Sequence, residues 1–383
     1  MASVNTNTSC RKYNYKLGYL RALAIILVVI GHSASGGIGF FSDWFSPLSF
    51  QVPLLIFVSG YFYDETVKAF TYIKKRFRRL VIAYYSWNVF YAVLFLILTS
   101  TGLLAWGYTV NLNSFFAAPW ADSYQYAFTI AGWFVLSLFI IQVLYLLIRK
   151  TLDKIKIPYI EYFLFIVFLA FGLLTTYIAM EGTSPWYIFG FQTPFYLILL
   201  RTLFGLPFLQ LGYLYKIKLE KFDKTSLVSI LAVFVIQLVL ILNYGQVTFS
   251  MVYMTFGGKI FEPFLFSFTG IWLCLQISSI LATHFNPIRL LRYIGDNSWS
   301  IMMNEFLGFW LLNAVFFLIK APSFNEFAWK TDMYYRYAIG GHSQSLILYV
   351  VAGIFFSLLL SYAVSKVWTQ LKVHVRARSV SAQ

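Results

Sequence analysis

The sequence is poor in charge. Only 11% of its 383 residues are Asp, Glu, Lys or Arg, less than half of the roughly one quarter usual in soluble domains. Acidic residues are the scarcest, 14 against 29 Lys and Arg. This scarcity argues against a separate soluble domain with a solvated surface. Cysteine is nearly absent: Cys10 sits in a polar head and Cys274 in an apolar run, so no structural disulfide is expected. Four scattered His residues and two distant Cys make no ligand cluster, so no metal site is expected.

What is present is apolar bulk. The chain is 60% apolar and 21% aromatic, with a mean hydropathy of +0.72. Apolar runs of about 20 residues recur along it, the length that crosses a bilayer as a helix. The expected fold is therefore all-α, a polytopic integral membrane bundle of about ten transmembrane helices. The runs place spans at 17–35, 46–63, 78–101, 128–149, 158–180, 192–215, 226–244, 260–283, 297–320 and 345–368. They divide the chain into an N-terminal tail (1–16), one membrane domain (17–369) and a C-terminal tail (370–383). No small-residue cleavage pattern follows the first run, which reads as an uncleaved first helix.

The net charge of +15 follows from topology rather than from nucleic-acid binding. Between these spans, 23 of the 29 Lys and Arg residues fall on one side and four, Lys259, Lys320, Lys330 and Arg336, on the other. The positive-inside rule puts the first side, with both termini, in the cytoplasm. The run "KKRFRR" (74–79) is open to two readings. Arg76, Arg78 and Arg79 suit the phosphates of a nucleotide-like donor, or they anchor topology and bind anionic lipid.

Few ionisable residues lie within or at the ends of the apolar runs, Arg21, His32, Arg201, Glu262 and Glu305 among them. Each costs a few kcal/mol in hydrocarbon, so each is expected to face the bundle interior with a partner. Arg21 and His32 bracket ten residues that are all apolar or Gly. Eleven steps of about 100° bring them to within roughly 20° of one face, about 16 Å apart along the axis. Each also has a plainer reading, Arg21 as a snorkelling residue at a helix start and His32 as an interfacial hydrogen-bonding group. The small-residue stretch "SASGGIGFF" after His32 permits close approach of backbone or ligand. In "FQVPLLIFVSGYFY" (50–63), Pro53 marks a helix start or break, and Ser59-Gly60 alone would mean tight helix packing. Glu262, followed by Pro263, fits a helix start, where a carboxylate is favoured. The outer segment 321–344 mixes Glu326, Asp332, Arg336 and His342 with Trp329, Tyr334 and Tyr335, which suits sugar stacking or a membrane-interface belt.

The pattern "R-A-x-A-I-x-x-V-x-x-G-H" at 21–32, followed by "P-L-x-x-F-x-S-G-Y-F" at 53–62, resembles the membrane-bound acyltransferase 3 family. Three later segments are similar to that family's helices: "GWFVLSLFIIQVLY" (132–145), "LPFLQLGYLY" (206–215) with Arg201 just ahead, and "YIGDNSWSIMMNEF" (293–306). The resemblance covers nearly the full length and implies a bacterial cytoplasmic-membrane protein that O-acylates cell-envelope glycans. It implies roles for Arg21 and His32 in donor handling and acyl transfer, with acetyl-CoA or another acyl-CoA as co-substrate and no tightly bound cofactor. The acceptor would be a glycan or a lipid-linked sugar, and membrane lipids the other partners; nucleic acid is not expected. The sequence leaves the oligomeric state open.

The chemistry agrees. A sugar hydroxyl is a poor nucleophile until a base takes its proton, and His does so near neutral pH. A buried cation can hold the charged or carbonyl end of an acyl donor. Two positions depart from the family pattern. Gln51 stands where many relatives have His, and Glu305, after Asn304, stands where the late helix often carries His. Gln51 can bind a sugar by hydrogen bonds, and Glu305 can act as base or orient His32; Ser59, Tyr61 and Asn304 complete the candidate cavity. A transporter or flippase for a lipid-linked sugar, and an inactive acyltransferase-like scaffold, are the competing expectations.

Overall fold

A computed structural model describes residues 13–34, 43–121, 126–152, 159–181, 187–188, 191–192 and 194–381. Cys10 and residues 35–41 of the small-residue stretch after His32 lie outside the described residues. In lipid every backbone N–H and C=O must be satisfied within the chain, and helices do this segment by segment. The longer helices are α1 (Tyr15–Ser33), α2 (Gln51–Tyr61), α3 (Ala69–Ser100), α4 (Trp133–Leu152), α5 (Ile160–Glu181), α6 (Pro194–Leu214), α7 (Leu227–Tyr244), α8 (Glu262–His284), α9 (Arg289–Asp296), α10 (Ser298–Leu318) and α11 (Ile347–Ser381). Among the described residues, nine helices are long and apolar enough to cross a membrane. The chain is thus an all-α polytopic membrane protein, and the strands among its described residues are two residues long.

The helix ends follow local chemistry. Asn14 caps α1 by accepting from the Leu17 N–H at 3.2 Å, and Ser226 caps α7 by accepting from the Ser229 N–H at 3.1 Å. Pro263 occupies the first turn of α8, where its missing N–H costs nothing. Gly245, at φ +73°, closes α7.

Three expected spans differ. The span expected at 46–63 is an eleven-residue helix entered through a 3-10 turn at Pro47–Ser49. The basic run 74–79 is not a loop. It lies inside α3, which continues through a π turn at Phe77–Ile82. The last span does not stop near 368, because α11 runs on to Ser381.

α2 is short but held tightly. A Cβ on Gly60 would sit 1.9 Å from the Leu209 carbonyl oxygen of α6, and one on Gly212 would sit 1.9 Å from the Phe57 carbonyl oxygen of α2. Both positions need Gly because backbone meets backbone there. A buried network ties α4, α5 and α6 together. Arg149 donates to both carboxylate oxygens of Glu161 at 2.7 Å, Gln210 reaches Glu161 at 3.0 Å, and Tyr145 reaches Gln210 at 2.6 Å. Removing one member of such a buried pair leaves an uncompensated charge and costs about 3–5 kcal/mol.

Contacts at the ends of α1 set the polarity of the bundle. Near its start, Arg21 meets Asp296 of α9, next to Asn297, which accepts from Ser361 of α11 at 3.3 Å. Tyr349, near the start of α11, bonds at the opposite end with Asn313 and the Tyr337 N–H. α1 therefore begins, and α11 turns toward its C-terminus, on one side of the bundle.

Candidate active site

His32 lies in the last turn of α1. Beyond it opens a cavity of about 980 Å³. Its walls are the end of α1, the start of α2 at Gln51–Pro53, Trp133 at the head of α4, and the outer segments that carry Tyr334, Arg336 and Ser343. The remaining wall is a β-hairpin in which Phe249–Ser250 pairs with Thr255–Phe256. Such a concave, mostly apolar space with a few converging polar groups is the usual form of a small-molecule site.

The polar centre of the wall is His32, with a buried carboxylate behind it. His32 Nδ1 is 2.6 Å from Glu305 Oε1, with Glu305 fully buried and the His32 side chain 22% exposed. A carboxylate on Nδ1 accepts the proton there and leaves the lone pair on Nε2. The Phe306 ring, 5.1 Å from the imidazole, limits its rotation. The second carboxylate oxygen of Glu305 has no hydrogen-bond partner.

Gln51 joins this pair at the wall. Its side chain lies over Gly31, where a Cβ would stand 2.6 Å from Oε1. That oxygen is buried without a partner, and Gln51 lines the cavity, so it is open to a hydrogen bond from a ligand. Of the expected site residues, His32, Glu305 and Gln51 are the three brought together.

Arg21 is at the other end of α1. It pairs with Asp296 at 2.8 Å, and its guanidinium lies 5.5 Å from the Phe62 ring. Tyr13 also donates to Asp296, at 3.0 Å. Arg201 is fully buried behind the wall. It donates through Nε to the Val252 carbonyl at 3.0 Å, a bond its Nη2 shares, and lies 5.1 Å from the Trp133 ring. Both Val252 and Trp133 line the cavity. Arg201 thus holds the wall rather than facing the ligand space.

The other expected residues stand apart from the cavity. Asn304, one position and so about 100° from Glu305, accepts from the Tyr91 hydroxyl at 2.5 Å and donates to the Ser300 carbonyl at 2.7 Å. It braces α10 against α3. Ser59 donates to its own helix at the Leu55 carbonyl. Tyr61 donates to Glu220 at 2.7 Å, on the side of Arg21. Glu262 is buried beneath Gly258, whose Cβ would meet its Oε2 at 1.7 Å. Arg78 and Arg79 are exposed on α3, and Arg76 stacks 4.9 Å from Tyr72.

The site also holds residues without a strong sequence signal. The hairpin has two-residue strands, too short to show a period of two. Arg336 was visible as a rare cation of the outer segments, and its place beside His32 arises from the tertiary fold.

These features define a class: a multi-pass membrane protein with a His–carboxylate pair on the wall of a large cavity. The model of the acyltransferase 3 family, described as an acyltransferase domain, matches residues 14–366, and the chain belongs to that family. Membership makes it a membrane acyltransferase. No curated protein and no solved structure matches the chain significantly.

Proposed function

We propose that the chain is an O-acyltransferase that moves an acyl group, acetyl in the first instance, from acyl-CoA at the cytoplasmic face to a hydroxyl of a cell-surface glycan or lipid-linked sugar. The membrane would be the bacterial cytoplasmic membrane. The observation that carries this reading is the His32–Glu305 pair at 2.6 Å on a cavity of about 980 Å³.

In this mechanism Glu305 holds His32 through Nδ1, and Nε2 accepts the proton of the acceptor hydroxyl. The hydroxyl oxygen attacks the thioester carbonyl, the new C–O bond forms, and the C–S bond breaks. His32 returns its proton to the leaving thiolate, so the imidazole ends neutral. Gln51 hydrogen-bonds the sugar, and Trp133 and Tyr334 offer ring faces to it. Arg21, about 16 Å away along α1, meets the anionic part of the donor. The donor's flexible acyl arm then spans the distance between the two. Arg76, Arg78 and Arg79 gather anionic donor or lipid at the membrane surface.

The test uses membranes from cells making the wild type or His32→Ala, with acetyl-CoA labelled in the acetyl group. Label in the glycan or lipid-linked fraction that disappears with His32→Ala, at equal protein level, supports the mechanism. Equal labelling with both proteins overturns it.

A further inference from the structure

Arg336 lies in the connection between α10 and α11, on the cavity wall. Its Nη1 donates to the carbonyls of Met333 at 2.7 Å and Tyr335 at 2.9 Å. Its Nη2 donates to the carbonyl of His32 itself at 3.2 Å. The guanidinium carbon is 4.3 Å from the Phe309 ring and 5.6 Å from the rings of Phe306 and Tyr349. Its Nε is buried without a partner.

A guanidinium enclosed this way is costly, since aromatic faces and carbonyls replace water without supplying a full countercharge. Burial pulls Arg336 down to about 10, while the charges of Glu305 and Asp332 and the nearby tyrosines pull the other way. It stays protonated at neutral pH. Asp332 is exposed and is occupied with the Tyr334 N–H at 2.7 Å. Glu305 is fully buried, with one oxygen on His32 and the other without a partner. Glu305 is thus a fully buried carboxylate and Arg336 a half-buried cation, and both bond to His32, one through the ring and one through the carbonyl.

Direct binding of an anionic acceptor is the other use a cavity-wall arginine suggests. The geometry disfavours it. Bidentate anion binding through one edge of the guanidinium needs Nε together with Nη2, and here Nε is closed off. Both Nη1 bonds go to backbone.

We infer that Arg336 is a positioning residue for acyl transfer: it fixes the end of α1 through the His32 carbonyl and supplies the countercharge for Glu305, so that His32 keeps Nδ1 on the carboxylate and Nε2 for the acceptor. This rests on the acyl-transfer reading above. Without the cation, the buried Glu305 carboxylate loses its countercharge, and the end of α1 loses a tether.

The test uses the full chain in membranes, acetyl-labelled acetyl-CoA as donor, and the envelope glycan fraction of the host as acceptor. Arg336→Gln is expected to lower the maximal rate by about tenfold or more, a part of what a general base contributes. The apparent KM for the glycan fraction should change by less than about twofold. Arg336→Lys, which keeps the charge, should restore part of the rate. In a Glu305→Gln background, Arg336→Gln should cause little further loss, because the two act through one imidazole. Amount and elution profile of each variant in detergent normalise the rates.

A raised KM with an unchanged maximal rate would overturn the inference and make Arg336 an acceptor-binding group. Losses that multiply in the double variant would also overturn it, as would full activity of Arg336→Gln. Transfer that survives His32→Ala would instead defeat the role of His32 on which the inference rests, and no transfer by the wild type would defeat the acyl-transfer reading itself.

Discussion

His32 and Glu305 are 273 positions apart in the chain, yet their side chains meet at 2.6 Å. α1 supplies the imidazole at its end, and α10 supplies the carboxylate from its second turn. Neither residue is equipped to act alone. An imidazole without a partner on Nδ1 has no fixed tautomer, and a buried carboxylate without a donor is expensive.

Glu305→Gln keeps the size of the side chain and removes its charge. The amide no longer stabilises the imidazolium formed when His32 takes the acceptor proton. The maximal transfer rate is expected to fall by about 100-fold, a moderate share of what general-base catalysis contributes. Initial rates with labelled acetyl-CoA, normalised to protein in the membrane, check this. A rate within about threefold of wild type would separate Glu305 from the chemistry.

Gly31→Ala acts on Gln51. The new Cβ would stand 2.6 Å from Gln51 Oε1, so the amide must move off its place over Gly31. The apparent KM for the glycan acceptor is expected to rise by about fivefold or more, the loss of roughly one hydrogen bond. Combining Gly31→Ala with Gln51→Ala should add little, since both changes remove the same contact. A KM series on the single and double variants decides this.

Arg21→Ala is expected to act at the donor end only. Arg21 pairs with Asp296 and faces Phe62, far from His32 on the same helix. Removing a charge-assisted contact to an anionic donor should raise the apparent KM for acetyl-CoA by about tenfold or more. The KM for the glycan fraction should stay unchanged. A change confined to the acceptor KM would place the donor elsewhere.

Gly60→Ala and Gly212→Ala test the α2–α6 contact without touching the cavity. Each Cβ would stand 1.9 Å from a backbone oxygen of the other helix. Backbone cannot move aside as a flexible side chain can, so each change should cost about 1–3 kcal/mol or more. The thermal unfolding midpoint in detergent should drop by several degrees, or the folded elution peak should disappear.

Much of the fold was legible because the membrane imposes it. Length and hydropathy mark a span whatever its neighbours are, and nine of the ten expected spans appear as long apolar helices. α2 fell short because its contacts come from Gly60 and Gly212, which hydropathy does not weigh. The helical course of the basic run is hidden for a related reason: Lys and Arg are good helix formers, but a cluster of them interrupts an apolar span. At the site, His32 and Glu305 stood out as ionisable groups in apolar runs. Asn304 was grouped with its neighbour, and one residue of helical rotation sends it to Tyr91 instead.

The sequence by itself determined that this chain is a helical membrane protein of the acyltransferase 3 kind, and that Arg21 and His32 share a face of one helix. Those properties follow from composition, period and motif, which act locally along the chain. Only the tertiary structure decided that Glu305 is the partner of His32, that Gln51 joins them, and that Arg336 grips the His32 carbonyl. Such pairings depend on which helix ends meet in space. Helix packing sets that, through close contacts such as Gly60 against Leu209, and hydropathy carries no record of it.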